Sequence, residues 1–305
     1  MLKLSLLLAA SVASVELISA KIDDGKMDKK AYTHEIETLR TQRVDRLKAP
    51  NGWLSLVGLF WLKEGPNLVG TDKKSDIVLD KGPARLGVVT LKNGKVSIQL
   101  DMKAPATIGG QPLASAVLLD DTNETPTVVA YGTESFYVID RNGKKGLRVK
   151  DSEATTRKNF VGIDYFPIDP KWRVEATFTE YKPAHTLEIP NVLGQIDKMP
   201  VPGKLTFERD GKRYELLPVL EEPGAKELWL IFADQTSAKT TYGGGRFLYT
   251  EMPKDGKVII DFNRAYNPPC AFTPHATCPL APPENRLALP VTAGEKKYRG
   301  KGGHE

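Results

Sequence analysis

The residues best suited to chemistry crowd into one stretch, Asp234 to Glu295. Its carboxylates Asp234, Asp261, Glu284 and Glu295 accompany His275, the one nearby base of suitable pKa. A hydrolase needs two groups in opposed protonation states, or a metal-held water, and such a set would supply the first. Cys270, His275 and Cys278 are zinc-ligand types. Their C-x4-H-x2-C spacing nevertheless offers no clear fourth ligand, and Pro268, Pro269, Pro274 and Pro279 stiffen the loop, so no metal is expected.

The same stretch also contains parts of an anion site. After Tyr242, the run Gly243, Gly244, Gly245 brings backbone N–H groups close together, as in an anion-binding nest. Arg246 or Arg264 would add a bidentate grip on a carboxylate or phosphate. A glycine triplet equally suits a hairpin connection or a β-bulge. Asn263, Asn267 and Asn285 suit a pocket wall, or the tying-down of backbone that no sheet ladder reaches. The sequence has no G-x-S-x-G elbow, no phosphate-binding G-x-x-x-x-G-K-[ST] loop, no H-E-x-x-H and no dinucleotide glycine motif ahead of a helix. No cofactor is therefore expected.

Regular elements must hold this segment in place. Tyr32, Ile36, Leu39 and Leu47 fall at helical spacing among charged residues, and Pro50-Asn51-Gly52 stops the run, which predicts an amphipathic helix within residues 21–50. WLSLVGLFWL, Trp53 to Leu62, reads as buried strand. Asn93-Gly94, Asn142-Gly143, Asp210-Gly211 and Asp255-Gly256 each separate alternating segments, and both residue pairs accept the positive φ of a tight hairpin turn. The expected fold is mainly β: an N-terminal helix followed by two antiparallel β lobes, sandwich or barrel-like, over residues 51–165 and 166–298, with a flexible tail at 299–305. Trp53, Trp61, Trp172 and Trp229 are expected in the core. His34, His185 and His304 are expected to be solvated.

Residues 1–20, with Lys3 ahead of a short apolar run and small residues at its end, read as a secretory signal peptide. The run is too short for a good membrane span, which needs about 20 apolar residues. Export, to a periplasm or the medium, would place the only two cysteines in an oxidising compartment, where Cys270 and Cys278 are expected to form one local disulfide. A net charge of +5, without long blocks of one sign, gives no reason to expect a nucleic-acid partner.

Gly52-Trp53-Leu54, Gly146-Leu147-Arg148, the run from Phe160 to Pro167, Tyr242 to Leu248 and DFNRAYNPPCAF…CPLAPPENRL…AGEK together resemble the bacterial domain-of-unknown-function family 1684. That resemblance implies membership and supplies no reaction. Phe60 to Asp80 and Ile108 to Leu113 resemble strands of a forkhead-associated β-sandwich. Thr71 stands where such a domain has its phosphate-reading Arg, and Pro83 to Val89 lacks the Ser-x-x-His run, so the resemblance implies fold without phosphothreonine binding.

These readings converge on an exported protein that binds a small, anionic ligand where the Tyr242–Arg246 turn meets the Asp261–Glu295 segment. A hydrolase of a small ester or cell-envelope polymer is the alternative, with a structural component of an envelope complex, and hence a protein partner, as the third.

Overall fold

A computed structural model describes residues 22–23 and 26–303. The expected leader and His304 lie outside the described residues. Helix α1, Lys29–Lys48, starts at Asp28, whose carboxylate accepts from the N–H groups of Lys30 and Ala31. It buries Tyr32, Ile36 and Leu47 and stops at Ala49, which Pro50 holds extended.

Residues 56–151 form two five-stranded sheets that close over one core of Val89, Ile98, Phe136, Val138, Leu147 and Val149. The sheet that matters for function contains β1 (Leu56–Trp61), β2 (Glu134–Arg141) and β3 (Lys144–Asp151), with β3 central between the other two. Along β3 the apolar Leu147 and Val149 enter the core, so the strand's two-residue period turns Arg148 and Lys150 to the opposite face.

Residues 173–261 form a four-stranded antiparallel sheet and a separate pair, β4 (Glu227–Phe232) with β5 (Arg246–Glu251). A further cluster joins Leu47, Leu54 and Leu56 to Trp229, Phe247, Phe272 and Tyr298, and so packs the helix and both sets of sheets around the proline-rich segment. That segment is ordered by burial: Cys270 and Phe272 are fully enclosed.

All four Asn-Gly and Asp-Gly pairs adopt positive φ. Three close hairpins between paired strands. The fourth, Asp255-Gly256, makes its turn, but the flanking strands enter different sheets: β5 pairs with β4, and Lys257–Asp261 pairs with Arg173–Pro190. Pro253 lacks the N–H that a continuing ladder would need. Two other expectations fail as well. Trp53 lies in a short 3-10 turn and is 36% exposed, and Trp61 is only half-buried at the end of β1 with Lys144 over its ring, so neither is core. Cys270 and Cys278 are free thiols. Each backbone N–H donates to the other residue's sulfur, at 3.2 and 3.3 Å, and these reciprocal bonds close the loop where a covalent bridge was expected. Burial drives the Cys278 pKa well up, while the hydrogen bond from Cys278 pulls that of Cys270 down.

Candidate functional site

A cavity of about 600 Å³ opens where α1, the β2–β3 edge and the proline-rich segment meet. Six arginines face it (Arg40, Arg43, Arg46, Arg141, Arg148 and Arg264) against three glutamates, Glu221, Glu227 and Glu295. The balance is therefore cationic, and the position of each counter-ion decides where the surplus lies.

Three of the arginines are neutralised. Arg43 donates through Nε to Glu295, at 3.1 Å, and through Nη2 to the Asn267 carbonyl. Arg141 pairs with Asp121 at 2.8 Å. Arg264 pairs with Glu35 and stands 3.5 Å from Asp261. Arg40 donates to the Phe166 carbonyl and lies 4.2 Å over the Tyr165 ring, and burial pulls its pKa below the usual value.

Arg148 is the most deeply enclosed of the six, and like Arg40 it has no acid partner. It is 2% exposed and forms no ion pair among the described residues. Its single hydrogen bond runs from Nη2 to Thr277 Oγ1, at 3.1 Å, and its Nε is enclosed without a partner. Trp53 covers the guanidinium from 5.6 Å. Thr277 Oγ1 also accepts from Arg141 Nε at 2.9 Å. With both lone pairs engaged by cations, the Thr277 hydroxyl has only its proton left to offer, as a donor. With the Thr277 oxygen already engaged, Arg148 and Thr277 thus present donors and no further acceptor.

The facing wall is aromatic. Trp229 stacks on Tyr249, with centroids 5.9 Å apart, and Tyr249 on Tyr266, at 6.4 Å. Burial raises the pKa of both tyrosines, so their hydroxyls stay protonated. The enclosed Trp229 Nε1 and Tyr165 hydroxyl, both on cavity residues, also have no partner. The chamber therefore combines a flat apolar wall with unmatched donors, which suits a planar or apolar body that carries negative charge.

The residues singled out by sequence fall into different places. Ala281 N donates to the Gly244 carbonyl, so the proline-rich segment does lie beside the glycine turn. Gly245 is required there: its φ is +100°, and a Cβ would stand 2.7 Å from the Phe232 carbonyl oxygen. Yet Gly243, Gly244, Gly245 and Tyr242 do not line the cavity, and Tyr242 is buried in the core. Arg246 is 1% exposed; its Nη2 donates to Asp234, at 2.8 Å, and to the Val291 carbonyl, while Nη1 donates to the carbonyls of Ala293 and Glu295. It pins the proline-rich segment to β5.

The asparagines serve backbone. Asn285 bonds to both backbone groups of Leu217 and to the Ile231 carbonyl; Asn267 donates to the Lys296 carbonyl; Asn263 bonds to both backbone groups of Asp169 and to the Tyr32 hydroxyl. Among them only Asn263, with Arg264, reaches the cavity. The acid–base candidates do not converge on it. Asp234 is occupied by Arg246, Thr236 and Val291 N; Asp261 accepts from Tyr32 and Asn263; Glu284 is exposed in a 3-10 turn; and His275, half-buried, does not line the cavity. Among the described residues no group of three or more His, Cys, Asp or Glu side chains is placed to hold a metal.

Arg148, Thr277 and the α1 arginines escaped sequence reasoning. One signal existed: in GLRVK, Gly146 to Lys150, Arg148 and Lys150 alternate with Leu147 and Val149, so these two had to share the face turned away from the core. That this face is itself enclosed by α1 and the proline-rich segment could not be read from local pattern.

Residues 158–296 match the model of a family described as a protein of unknown function, DUF1684. The marks at Gly52–Leu54 and Gly146–Arg148 lie outside that match. None of the curated proteins matches the sequence. Among solved structures, the chain is similar to the solution structure of an uncharacterized protein from locus rrnAC0354 of Haloarcula marismortui: 32% identity over 46% of this chain and 78% of that one, TM-score 0.38. Two forkhead-associated structures also align. The FHA structure of Rv0020c has 15% identity over 31% of this chain and 91% of its own, TM-score 0.22. One described under phosphothreonine-dependent FHA domain interactions has 18% identity over 30% and 92%, TM-score 0.20.

Proposed function

We propose that this chain, which matches the DUF1684 family of proteins of unknown function over residues 158–296, binds a small anionic molecule in the arginine-lined cavity. The observation that carries this reading is the Arg148 guanidinium, enclosed with one hydroxyl as its sole partner. Taking an ion out of water costs several kcal/mol unless an opposite charge offsets it. An incoming carboxylate or phosphate would supply that charge, and each charge-assisted hydrogen bond would contribute about 1.5–3 kcal/mol. The stacked Trp229–Tyr249–Tyr266 wall would take the ligand's body. Export of the protein, read from residues 1–20, belongs to the same proposal, and cell fractionation tests it: retention of the full-length chain in the cytoplasm would exclude it.

The binding test is isothermal titration of benzoate and phenyl phosphate into the wild-type protein and into Arg148→Met. Binding to the wild type, weakened roughly tenfold or more in the variant, is the expected result. If neither anion binds, or both bind the variant equally well, the reading fails.

A further inference from the structure

We infer that the anionic group taken by this cavity is a dianion of phosphoryl type, the head of a phosphate monoester, seated beside Trp53. The inference rests on the proposed anion binding and goes further by naming the head group. A second recess of about 380 Å³ shares Arg43, Arg46 and Trp53 with the main cavity and adds Lys150. Trp53 thus stands at the junction of two recesses.

Three cations around that junction have no carboxylate partner among the described residues. Arg148 bonds only to Thr277. Lys150 donates only to the Asn51 carbonyl, at 2.6 Å. Arg46, exposed near the end of α1, makes no side-chain hydrogen bond or ion pair. Arg148 and Lys150 project from one face of β3, two positions and so about 7 Å apart. Burial and the charge of Arg148 both pull the Lys150 pKa down, as expected of two cations facing each other without an anion between them. Elsewhere on the cavity Arg43, Arg141 and Arg264 each have an acid, and Arg40 lies against the Phe166 carbonyl and the Tyr165 ring, so three of the four cations without an acid gather at the Trp53 end.

A monoanion would leave most of that surplus unmatched. A dianion with three acceptor oxygens can meet Arg148, Lys150 and the Thr277 proton together, which a flat carboxylate with two oxygens cannot. The residues involved lie on β3, on α1 and in the Cys270–Cys278 loop, well apart in sequence from Thr71 and Pro83–Val89, the positions where a forkhead-associated domain would carry its phosphate-reading residues.

The test compares phenyl phosphate with benzoate and benzenesulfonate, monoanions on the same ring, by isothermal titration at about pH 7.5, where the phosphate is mostly dianionic. Phenyl phosphate is expected to bind roughly tenfold tighter or better, and to weaken as pH falls through about 6 while benzenesulfonate does not. Lys150→Met should cost phenyl phosphate several-fold and spare benzoate. Equal affinities for the three probes, or a Lys150→Met loss common to all, would overturn the dianion and leave anion binding intact. No binding of any probe would bring down both readings. Inorganic phosphate separates the two sources of the head group: weaker binding than phenyl phosphate supports the monoester, and equal binding replaces it with free phosphate.

Discussion

Two buried arginines stand in opposite circumstances. Arg246 is 1% exposed and Arg148 is 2% exposed, so both have left water almost completely. Arg246 has Asp234 and three carbonyl oxygens around its terminal nitrogens, whereas Arg148 has one threonine hydroxyl. The first is a fastening: it ties β5 to the proline-rich segment and leaves no terminal nitrogen for a ligand. The second carries its charge at a cavity wall without a counter-ion. The comparison teaches that burial alone does not mark a functional arginine. What marks it is the mismatch between the donors it holds and the acceptors the fold supplies.

The sharpest way to break the comparison is to remove each charge in turn. Arg246→Met leaves Asp234 buried and unpaired, and should cost about 3–5 kcal/mol of stability, read as a large fall in the urea midpoint. Next comes Thr277→Val, which deprives Arg141 Nε and Arg148 Nη2 of their shared acceptor. It should cost about 1.5–3 kcal/mol and weaken anion binding, while Thr277→Ser restores both. A smaller effect of opposite sign is expected from Arg148→Met. Removing an unmatched buried cation should raise the unfolding free energy by about 1 kcal/mol, even as binding is lost. A destabilisation like that of Arg246→Met would erase the distinction between the two residues.

The smallest expected effect is a slope. Lys150 has a folded-state pKa below its unfolded value, so between the two values the unfolded chain binds more protons and stability rises with pH. The penalty is fully present below the depressed pKa and fades as pH climbs towards the ordinary lysine range. Urea midpoints across the alkaline range should therefore rise less steeply in Lys150→Met than in the wild type. Saturating phenyl phosphate should flatten the wild-type slope as well.

Much of the fold was legible locally. The alternating segments and their turn pairs announced antiparallel sheet, because a positive-φ Asn-Gly or Asp-Gly imposes hairpin geometry on whatever flanks it. At Asp255-Gly256 the turn formed and the pairing did not, since Pro253 interrupts the ladder and each flanking strand meets a better partner in another sheet. Within the candidate site the legible part was the Asp261–Glu295 segment as an ordered wall: Asn263, Arg264 and Glu295 do face the cavity. The glycine turn beside it proved to be close-packed scaffold. The thiols of Cys270 and Cys278 met as expected and remained unbridged.

The sequence by itself determined the helix, the strand periodicity, the turns, and that Arg148 and Lys150 must share the strand face opposite Leu147 and Val149, because these follow from bonds and contacts a few residues long. Only the tertiary structure decided which arginine would find a carboxylate. Arg246 meets Asp234 from twelve positions away through the β4–β5 pairing, and Arg148 meets only Thr277, 129 positions on. Whether a buried charge is matched depends on what packs against it from distant chain, and that is set by how the sheets, helix and loop close on one another.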